Sequence, residues 1–159
     1  MGKSNLMRFL ELKVPPPIVA LFMAGFSWLV SRAAPTLGFV LPHRNAIVLA
    51  LLVAGVCVSV LGVASFRRAR TTVNPLKPEK ASTLVTSGIY RFTRNPMYLG
   101  LLSVLLGWAF FLANVLAFVF LPVFILYLNR FQIEPEERVL ASVFGQEFTA
   151  YQSKVRRWL

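Results

Sequence analysis

Apolar residues along the chain fall into three long runs that polar segments separate. The first two runs, residues 18–34 and 46–66, are long enough for a helix to cross or nearly cross a hydrocarbon layer of about 30 Å. The third run extends from Met97 to Leu128, which is too long for one untilted helix, and Asn114 divides it. We therefore predict four membrane-spanning helices in one all-α integral membrane domain over residues 1–159, at 18–34, 46–66, 97–113 and 115–131.

The polar tail, residues 134–159, returns to a helical pattern after the fourth span. Pro135 suits the first turn of a new helix, and Glu136 and Glu137 follow where the positive end of the helix dipole favours acids. Gly145 is expected to end this helix. The apolar positions then continue at helical spacing, at Phe148, Tyr151, Val155 and Trp158. We expect these tail helices to lie back on the membrane-spanning body.

The distribution of charge predicts how the spans are oriented. A mean hydropathy of +0.65 with only 14% charged residues does not describe a water-soluble domain. The net charge of +11 falls between the spans rather than on one polar face, which disfavours nucleic-acid binding. Fifteen of the 17 lysines and arginines lie on one side of the four spans, and only Arg32 and Arg44 lie on the other. This bias predicts that both termini and the middle loop, where Pro75 and Pro78 mark an interfacial segment, face the cytoplasm. We expect the membrane to be a prokaryotic cytoplasmic membrane.

Histidine and cysteine provide little chemistry in this sequence. The single cysteine, Cys57, lies inside the second apolar run and is expected to pack there, so neither a disulfide framework nor a paired-cysteine metal site is expected. The single histidine, His43, is predicted in a solvated loop on the far side of the membrane. The sequence contains no glycine-rich nucleotide-binding turn and no metal-ligand cluster, so no metal is predicted.

Polar side chains are crowded where the third span begins, in the stretch "TSGIYRFTRNPMYLG" of residues 86–100. Arg91, Arg94 and Asn95 directly precede this span. Five of the six acidic residues fall in the middle loop or in the tail, whereas Glu11 is expected to lie far from them. The polar loop and the acidic tail are therefore expected to converge at one membrane surface.

Two segments resemble the isoprenylcysteine carboxyl methyltransferases and their relatives, the phospholipid N-methyltransferases. The stretch "STLVTSGIYRFTRNPMYLG" is similar to that family's Leu-Val-Thr-Ser-Gly-x-Tyr followed by Arg-His-Pro-x-Tyr. The stretch "EERVLASVFGQEFTAYQSKV" is similar to its Glu-Glu-x-x-Leu and Phe-Gly-x-x-Tyr-x-x-Tyr ending. The resemblance covers residues 82–159, about half of the chain. Two positions depart from it, since Asn95 stands at a common histidine and Phe148 at the first tail tyrosine.

The resemblance implies S-adenosylmethionine as the methyl donor, bound outside any Rossmann fold by the loop, residues 82–96, and the tail. The implied donor-binding residues are Ser82, Thr83, Leu84, Val85, Gly88, Tyr90, Asn95, Pro96, Tyr98 and Glu136. Glu137 is expected to support the site. Arg130 and Gln132, at the end of the fourth span, are candidates for orienting the acceptor, although a role at the membrane boundary explains them equally well. The departure at Asn95 removes a titratable group but keeps a hydrogen-bonding one.

The expected reaction is methyl transfer to a lipophilic or lipid-linked acceptor at the membrane. Few bases stand near the loop, and a carboxylate acceptor arrives ionised whereas an ammonium must first lose a proton. This favours the carboxylate of an isoprenylcysteine-like compound, whose apolar part would enter sideways between helices. The alternatives are a phospholipid amine or a small thiol as acceptor, then an enzyme like the sterol reductases, then a non-catalytic membrane scaffold. The oligomeric state stays open.

Overall fold

The computed structural model describes residues 11–70 and 82–159. Every regular secondary-structure element in these two ranges is a helix. The part of the middle loop that contains Pro75, Pro78 and Glu79 lies outside the described residues. The α-helices are α1 Pro16–Ala33, α2 Arg44–Arg68, α3 Pro96–Leu112, α4 Phe120–Leu128, α5 Glu134–Phe144 and α6 Gln146–Lys154. Short 3₁₀ helices cover Pro35–Leu37, Gly88–Arg91 and Val115–Val119, and a π-helical turn covers Asn129–Ile133.

The helices α1 and α2 are the first two predicted spans with slightly longer ends. In α1, Ser27 donates to the carbonyl of Ala24 at 2.8 Å and Ser31 donates to that of Ser27 at 2.7 Å. These hydroxyls are thus satisfied inside an apolar helix, where water could not serve them. Helix α2 takes in Arg44 and Arg68 at its two ends and is long and apolar enough to cross a membrane, as is α1.

Helix α3 packs on α2 through glycines that let the two backbones approach closely. A Cβ atom placed on Gly100 would lie 2.5 Å from the carbonyl oxygen of Gly55 and 2.0 Å from Oγ of Ser59. The Ser103 hydroxyl also donates across the interface to the carbonyl of Leu51, at 3.0 Å. Small residues and interhelical hydrogen bonds provide the attraction that a hydrophobic effect cannot provide between helices in lipid.

The break between the third and fourth helices lies at Asn114, where the sequence predicts it. Ala113 has a left-handed φ of 48°, and the Asn114 side chain accepts from the amide of Leu116 at 3.0 Å. The Asn114 amide nitrogen also donates to the carbonyl of Ala34 at 2.8 Å, and Phe39 N–H donates to the carbonyl of Ala113 at 2.8 Å. The hairpin therefore lies at the same end of the molecule as the α1–α2 connection.

Pro135 lies in the first turn of α5, as the sequence predicts, but α5 follows the π turn without a break, so the fourth span continues beyond its predicted end at residue 131. The chain stays helical from Val115 to Phe144, through the 3₁₀ segment, α4, the π turn and α5. Proline has no N–H to give to the carbonyl four residues earlier, and its ring crowds that carbonyl. The π turn ends two residues before Pro135, and the carbonyl of Phe131 accepts instead from the backbone N–H of Leu12, at 3.0 Å. Gly145 ends α5 with a φ of 52°, as expected.

Buried apolar side chains join α1, α3 and the fourth span into one bundle. The buried members of this cluster are Val19, Tyr98, Leu105, Phe124, Leu128 and Ile133. Trp108 adds a hydrogen bond from its indole N–H to the carbonyl of Ala24, at 3.0 Å. The outer faces remain apolar and exposed, as Leu49, Val53 and Val56 of α2 illustrate. An apolar outer surface of this kind is suited to lipid, and the protein is an all-α integral membrane protein. Within residues 11–70 and 82–159 it has three membrane-length helical stretches and the shorter apolar α3.

We predict that Gly100→Ala destabilises the bundle, whereas Gly25→Ala does not. The added methyl group would meet the Gly55 carbonyl and Ser59, while a Cβ atom at Gly25 meets nothing within 4 Å. Overpacking of this kind typically costs about 1–3 kcal/mol. Thermal unfolding of both variants in detergent micelles should show a lowered midpoint for Gly100→Ala only. Equal midpoints would contradict the close approach of α2 and α3.

Candidate functional site

The predicted convergence of loop and tail is present as a direct pairing of backbone and side chains. The Arg94 N–H donates to the carbonyl of Arg156 at 3.0 Å. Two side chains bind the next carbonyl, that of Arg157, through Asn95 Nδ2 at 2.9 Å and Thr93 Oγ1 at 3.3 Å. The Asn95 amide, at the departure from the family pattern, thus holds the end of the tail against the start of α3.

The Glu137 carboxylate joins three segments of the chain. Its Oε1 accepts from Arg94 Nη2 at 2.9 Å, and its Oε2 accepts from Arg157 Nη2 at 2.7 Å. The exposed fractions of the three side chains are only 13% for Arg94, 15% for Glu137 and 31% for Arg157. The hydrogen bond to Glu137 raises the pKa of Arg157, which keeps this guanidinium charged. The tail, the loop and the first turn of α5 are therefore tied together by one largely buried ion-pair network, the Glu137 clamp of Arg94, Glu137 and Arg157.

A separate apolar cluster packs helix α6 against the loop. Its buried residues are Val85, Tyr90, Phe148, Tyr151 and Val155. The Tyr151 hydroxyl donates to the carbonyl of Tyr90 at 2.7 Å, and burial raises the pKa of both tyrosines, which keeps them neutral. Phe148 is 2% exposed, so the absence of a hydroxyl at this departure from the family pattern suits its apolar surroundings.

Besides the Glu137 clamp, a second group of polar side chains lies between α3 and the fourth span, and we call it the polar centre. The Tyr98 hydroxyl donates to Glu136 Oε2 at 3.0 Å, and the Gln132 side chain interacts with the same hydroxyl. Tyr98 is 4% exposed and Gln132 is 1% exposed. Helix α3 begins at Pro96, two residues before Tyr98, and Gln132 lies in the π turn. The structure thus brings together Tyr98, Gln132 and Glu136, all of which the sequence predicts as site residues.

The other predicted site residues lie in different surroundings. Ser82 and Thr83 are exposed, and Leu84 packs at the edge of the apolar cluster. Gly88 has a φ of 62°, and a Cβ there would stand 3.0 Å from Ser65 Oγ. Arg130 pairs with Glu11 at 2.8 Å.

Sequence reasoning missed three contributors to the site region. Arg157 belongs to the Glu137 clamp, and its position in the basic end "KVRRWL", opposite the acidic turn "EPEE", was a usable signal. Trp158 donates to Asn129 Oδ1 at 3.0 Å, which ties the end of the tail to the π turn. Glu11 was expected to be remote, and this expectation is wrong, since its two oxygens pair with Arg130 and Arg138.

Comparisons with known proteins show which proteins this chain is similar to. A family model described as phospholipid methyltransferase matches residues 43–147. An uncharacterized protein of Haemophilus influenzae is 52% identical over 63 residues, which are 40% of this chain and all of that protein. A probable protein-S-isoprenylcysteine O-methyltransferase of Oryza sativa subsp. indica is 34% identical over 114 residues, 70% of this chain and 58% of that protein. The protein-S-isoprenylcysteine O-methyltransferase of Schizosaccharomyces pombe is 39% identical over 82 residues, 50% of this chain and 34% of that protein.

The chain therefore spans 58% of the rice relative's length and 34% of the fission-yeast relative's. No solved structure matches it.

We predict that Glu137→Gln loosens the tail from the loop. The change leaves two guanidiniums beside an amide, and breaking a largely buried ion pair costs about 3 kcal/mol or more. Hydrogen exchange of residues 146–159 should accelerate, and the melting midpoint should fall. The matched control is Glu134→Gln, whose side chain is 43% exposed and lies 3.8 Å from Arg157. That exposed pair is worth at most about 1 kcal/mol, so equal effects of the two variants would refute the clamp.

Proposed function

The chain belongs to the phospholipid methyltransferase family, and we propose that it transfers a methyl group from S-adenosylmethionine to a lipid-linked acceptor at the membrane. The observation that carries this proposal is the centre formed by Tyr98, Gln132 and Glu136. Hydrogen-bonding groups are concentrated there at the end of an apolar bundle. A polar donor and a lipophilic acceptor need such a boundary if they are to meet.

The described side chains fit the chemistry of the proposed donor. S-adenosylmethionine carries an ammonium and ribose hydroxyls, which need acceptors, and a carboxylate, which needs donors. Glu136 offers a carboxylate oriented by the Tyr98 hydroxyl. Arg94 Nε is a buried nitrogen with no hydrogen-bond partner among the described residues, and a ligand carboxylate would satisfy it. The residues that would hold the donor are therefore Glu136, Tyr98, Arg94 and the loop backbone near Gly88.

The protein's own contribution to methyl transfer is positioning rather than covalent chemistry. When bound, S-adenosylmethionine supplies a methyl group already activated by a positively charged sulfur. The Glu137 clamp holds the loop against the tail, and Tyr98 holds Glu136 in one orientation. Reactants held in line gain much of their rate from orientation and from the exclusion of water. Gln132 is the residue best placed to orient the acceptor, because Arg130 is engaged by Glu11.

A carboxylate of an isoprenylcysteine-like compound is the acceptor that the site favours. Such a group is ionised at neutral pH and needs no general base, whereas an ammonium must lose a proton before it can react. Of the two acids beside the site, Glu137 is occupied by arginines and Glu136 by Tyr98. The rice and fission-yeast relatives are named for this chemistry. A phospholipid amine is the second candidate, and the description of the matching family favours it.

The proposed site faces the cytoplasm. The hairpin at Asn114 and the α1–α2 connection share one end of the molecule, which carries Arg32 and Arg44. The loop, α5 and α6 lie at the other end of the bundle, with most of the basic residues. The excess of positive charge on cytoplasmic segments supports this orientation.

We predict that Glu136→Gln weakens binding of S-adenosylhomocysteine at least tenfold. The change preserves size but removes the charge, and a hydrogen bond to a charged group is worth about 1.5–3 kcal/mol. Calorimetry of the purified protein in detergent measures the effect, with Glu134→Gln as the charge-matched control on the same helix. Unchanged affinity in a folded Glu136→Gln protein would remove this residue from the donor site.

The acceptor is tested by comparing a prenylated cysteine analogue with its unprenylated form. We expect kcat/KM to be far higher for the prenylated compound, because each buried CH₂ contributes roughly 0.8 kcal/mol and five of them about 4 kcal/mol. Methyl transfer to each compound is measured with radiolabelled donor, alongside phosphatidylethanolamine as the amine acceptor. Equal kcat/KM with and without the prenyl group would eliminate the lipid-linked acceptor. Preference for phosphatidylethanolamine would establish the second candidate.

A further inference from the structure

The segment that precedes α1 contacts the fourth span and α5 at three points, two of them in the π turn and one at Arg138. Glu11 Oε1 accepts from Arg130 Nη1 at 2.8 Å, and Glu11 Oε2 pairs with Arg138. The backbone N–H of the next residue, Leu12, donates to the carbonyl of Phe131 at 3.0 Å. Glu11 is 12% exposed although it is charged and lies outside the membrane-length helices. We call residues 11 and 12 the strap.

The π turn needs the strap for two physical reasons. Pro135 cannot donate to the carbonyl of Phe131, so that acceptor would otherwise lack the partner that a regular helix provides. Arg130 and Arg138 both direct a guanidinium to one carboxylate, so without Glu11 two positive charges would be left close together. The Glu11 carboxylate places one negative charge between these two positive charges and so offsets their repulsion. The Leu12 N–H satisfies the carbonyl of Phe131. The left-handed φ of 55° at Leu12, unusual for a leucine, accompanies this contact.

The strapped turn also carries the polar centre of the proposed site. Gln132 lies within the π turn, and Glu136 follows Pro135 directly. Both side chains meet the hydroxyl of Tyr98 on α3. Two of the three positions that the strap binds, Arg130 and Phe131, directly precede Gln132. A shift in the register of this turn would therefore move Gln132 and Glu136 away from Tyr98.

We propose that Glu11 is a positioning residue for the methyl-transfer site, which it serves by holding the π turn that brings Gln132 and Glu136 to Tyr98. This inference rests on the proposed function for its effect on the donor, but the effect on the turn is independent of any ligand. Glu11 does not touch the centre itself. Its contribution passes through Arg130, Arg138 and the backbone of the fourth span.

The first test replaces Glu11 by Gln and follows hydrogen exchange of the ligand-free protein in detergent. Amides of residues 129–137 should exchange at least threefold faster than in the unchanged protein, while those of α2 should not change. The matched control is Glu147→Gln, which removes the same charge from an exposed position on α6. Arg138→Gln removes only one arm of the strap from a side chain that is 57% exposed. It should give a smaller acceleration in the same segment, and it serves as the test if Glu11→Gln does not fold. Unchanged exchange in residues 129–137 would overturn the proposal.

The second test separates positioning from general stability by a double-mutant cycle. Glu11→Gln should weaken S-adenosylhomocysteine binding three- to tenfold in the otherwise unchanged protein, and by less than twofold when Glu136→Gln is already present. Groups that act through one another are non-additive in this way. Equal effects in both backgrounds would reduce Glu11 to a structural role and overturn the proposal. If the unchanged protein binds no S-adenosylhomocysteine, the proposed function fails, and the exchange measurement alone decides whether the strap holds the turn.

Discussion

The Glu137 carboxylate, bound by two guanidiniums, is the interaction on which the arrangement of the site depends. Arg94 precedes α3, Glu137 lies in the first turn of α5 and Arg157 lies near the end of the tail, so the helical hairpin must close before the three can meet. An isolated charge would be costly in this setting, but each member of the network has opposite charge beside it. The Arg94 N–H and the side chains of Thr93 and Asn95 add hydrogen bonds to the carbonyls of residues 156 and 157. This carboxylate joins the loop, residues 82–96, to the tail, residues 134–159, and we call these two segments together the wall.

Two different kinds of packing meet at that wall. Within the bundle, glycines and interhelical hydrogen bonds let α2 and α3 pack closely, as lipid surroundings require. Beneath the polar end, aromatic and aliphatic side chains of α6 bury themselves on the loop, as in a water-soluble core. Tyr98 lies in the buried cluster of the bundle, and its hydroxyl reaches the polar side chain of Glu136. A lipid-linked acceptor and a polar donor would need the same transition between apolar and polar surroundings.

Local patterns in the sequence predicted much of this architecture. Run length and hydropathy placed the first three apolar helices to within two residues, and Asn114 marked the hairpin because an amide within an apolar run must find partners. The motif spacing indicated that loop and tail converge. Pro135 marked the first turn of α5, but it gave no sign that the fourth span continues into α5 through the π turn, where the distant Leu12 N–H binds the carbonyl of Phe131. The pairing of Glu11 with Arg130 and Arg138 could not be predicted, since no periodicity relates residues more than 100 positions apart.

The proposal that this wall binds a methyl donor is tested most directly by titrating the unmodified protein, purified in detergent, with S-adenosylhomocysteine in a calorimeter. We expect saturable binding of one molecule per chain, together with slower hydrogen exchange in the loop, residues 82–96, and in the tail. NADPH, the cofactor expected of a reductase, should produce no saturable heat. Saturable binding of NADPH, or no binding of S-adenosylhomocysteine to protein that melts cooperatively, would contradict the account.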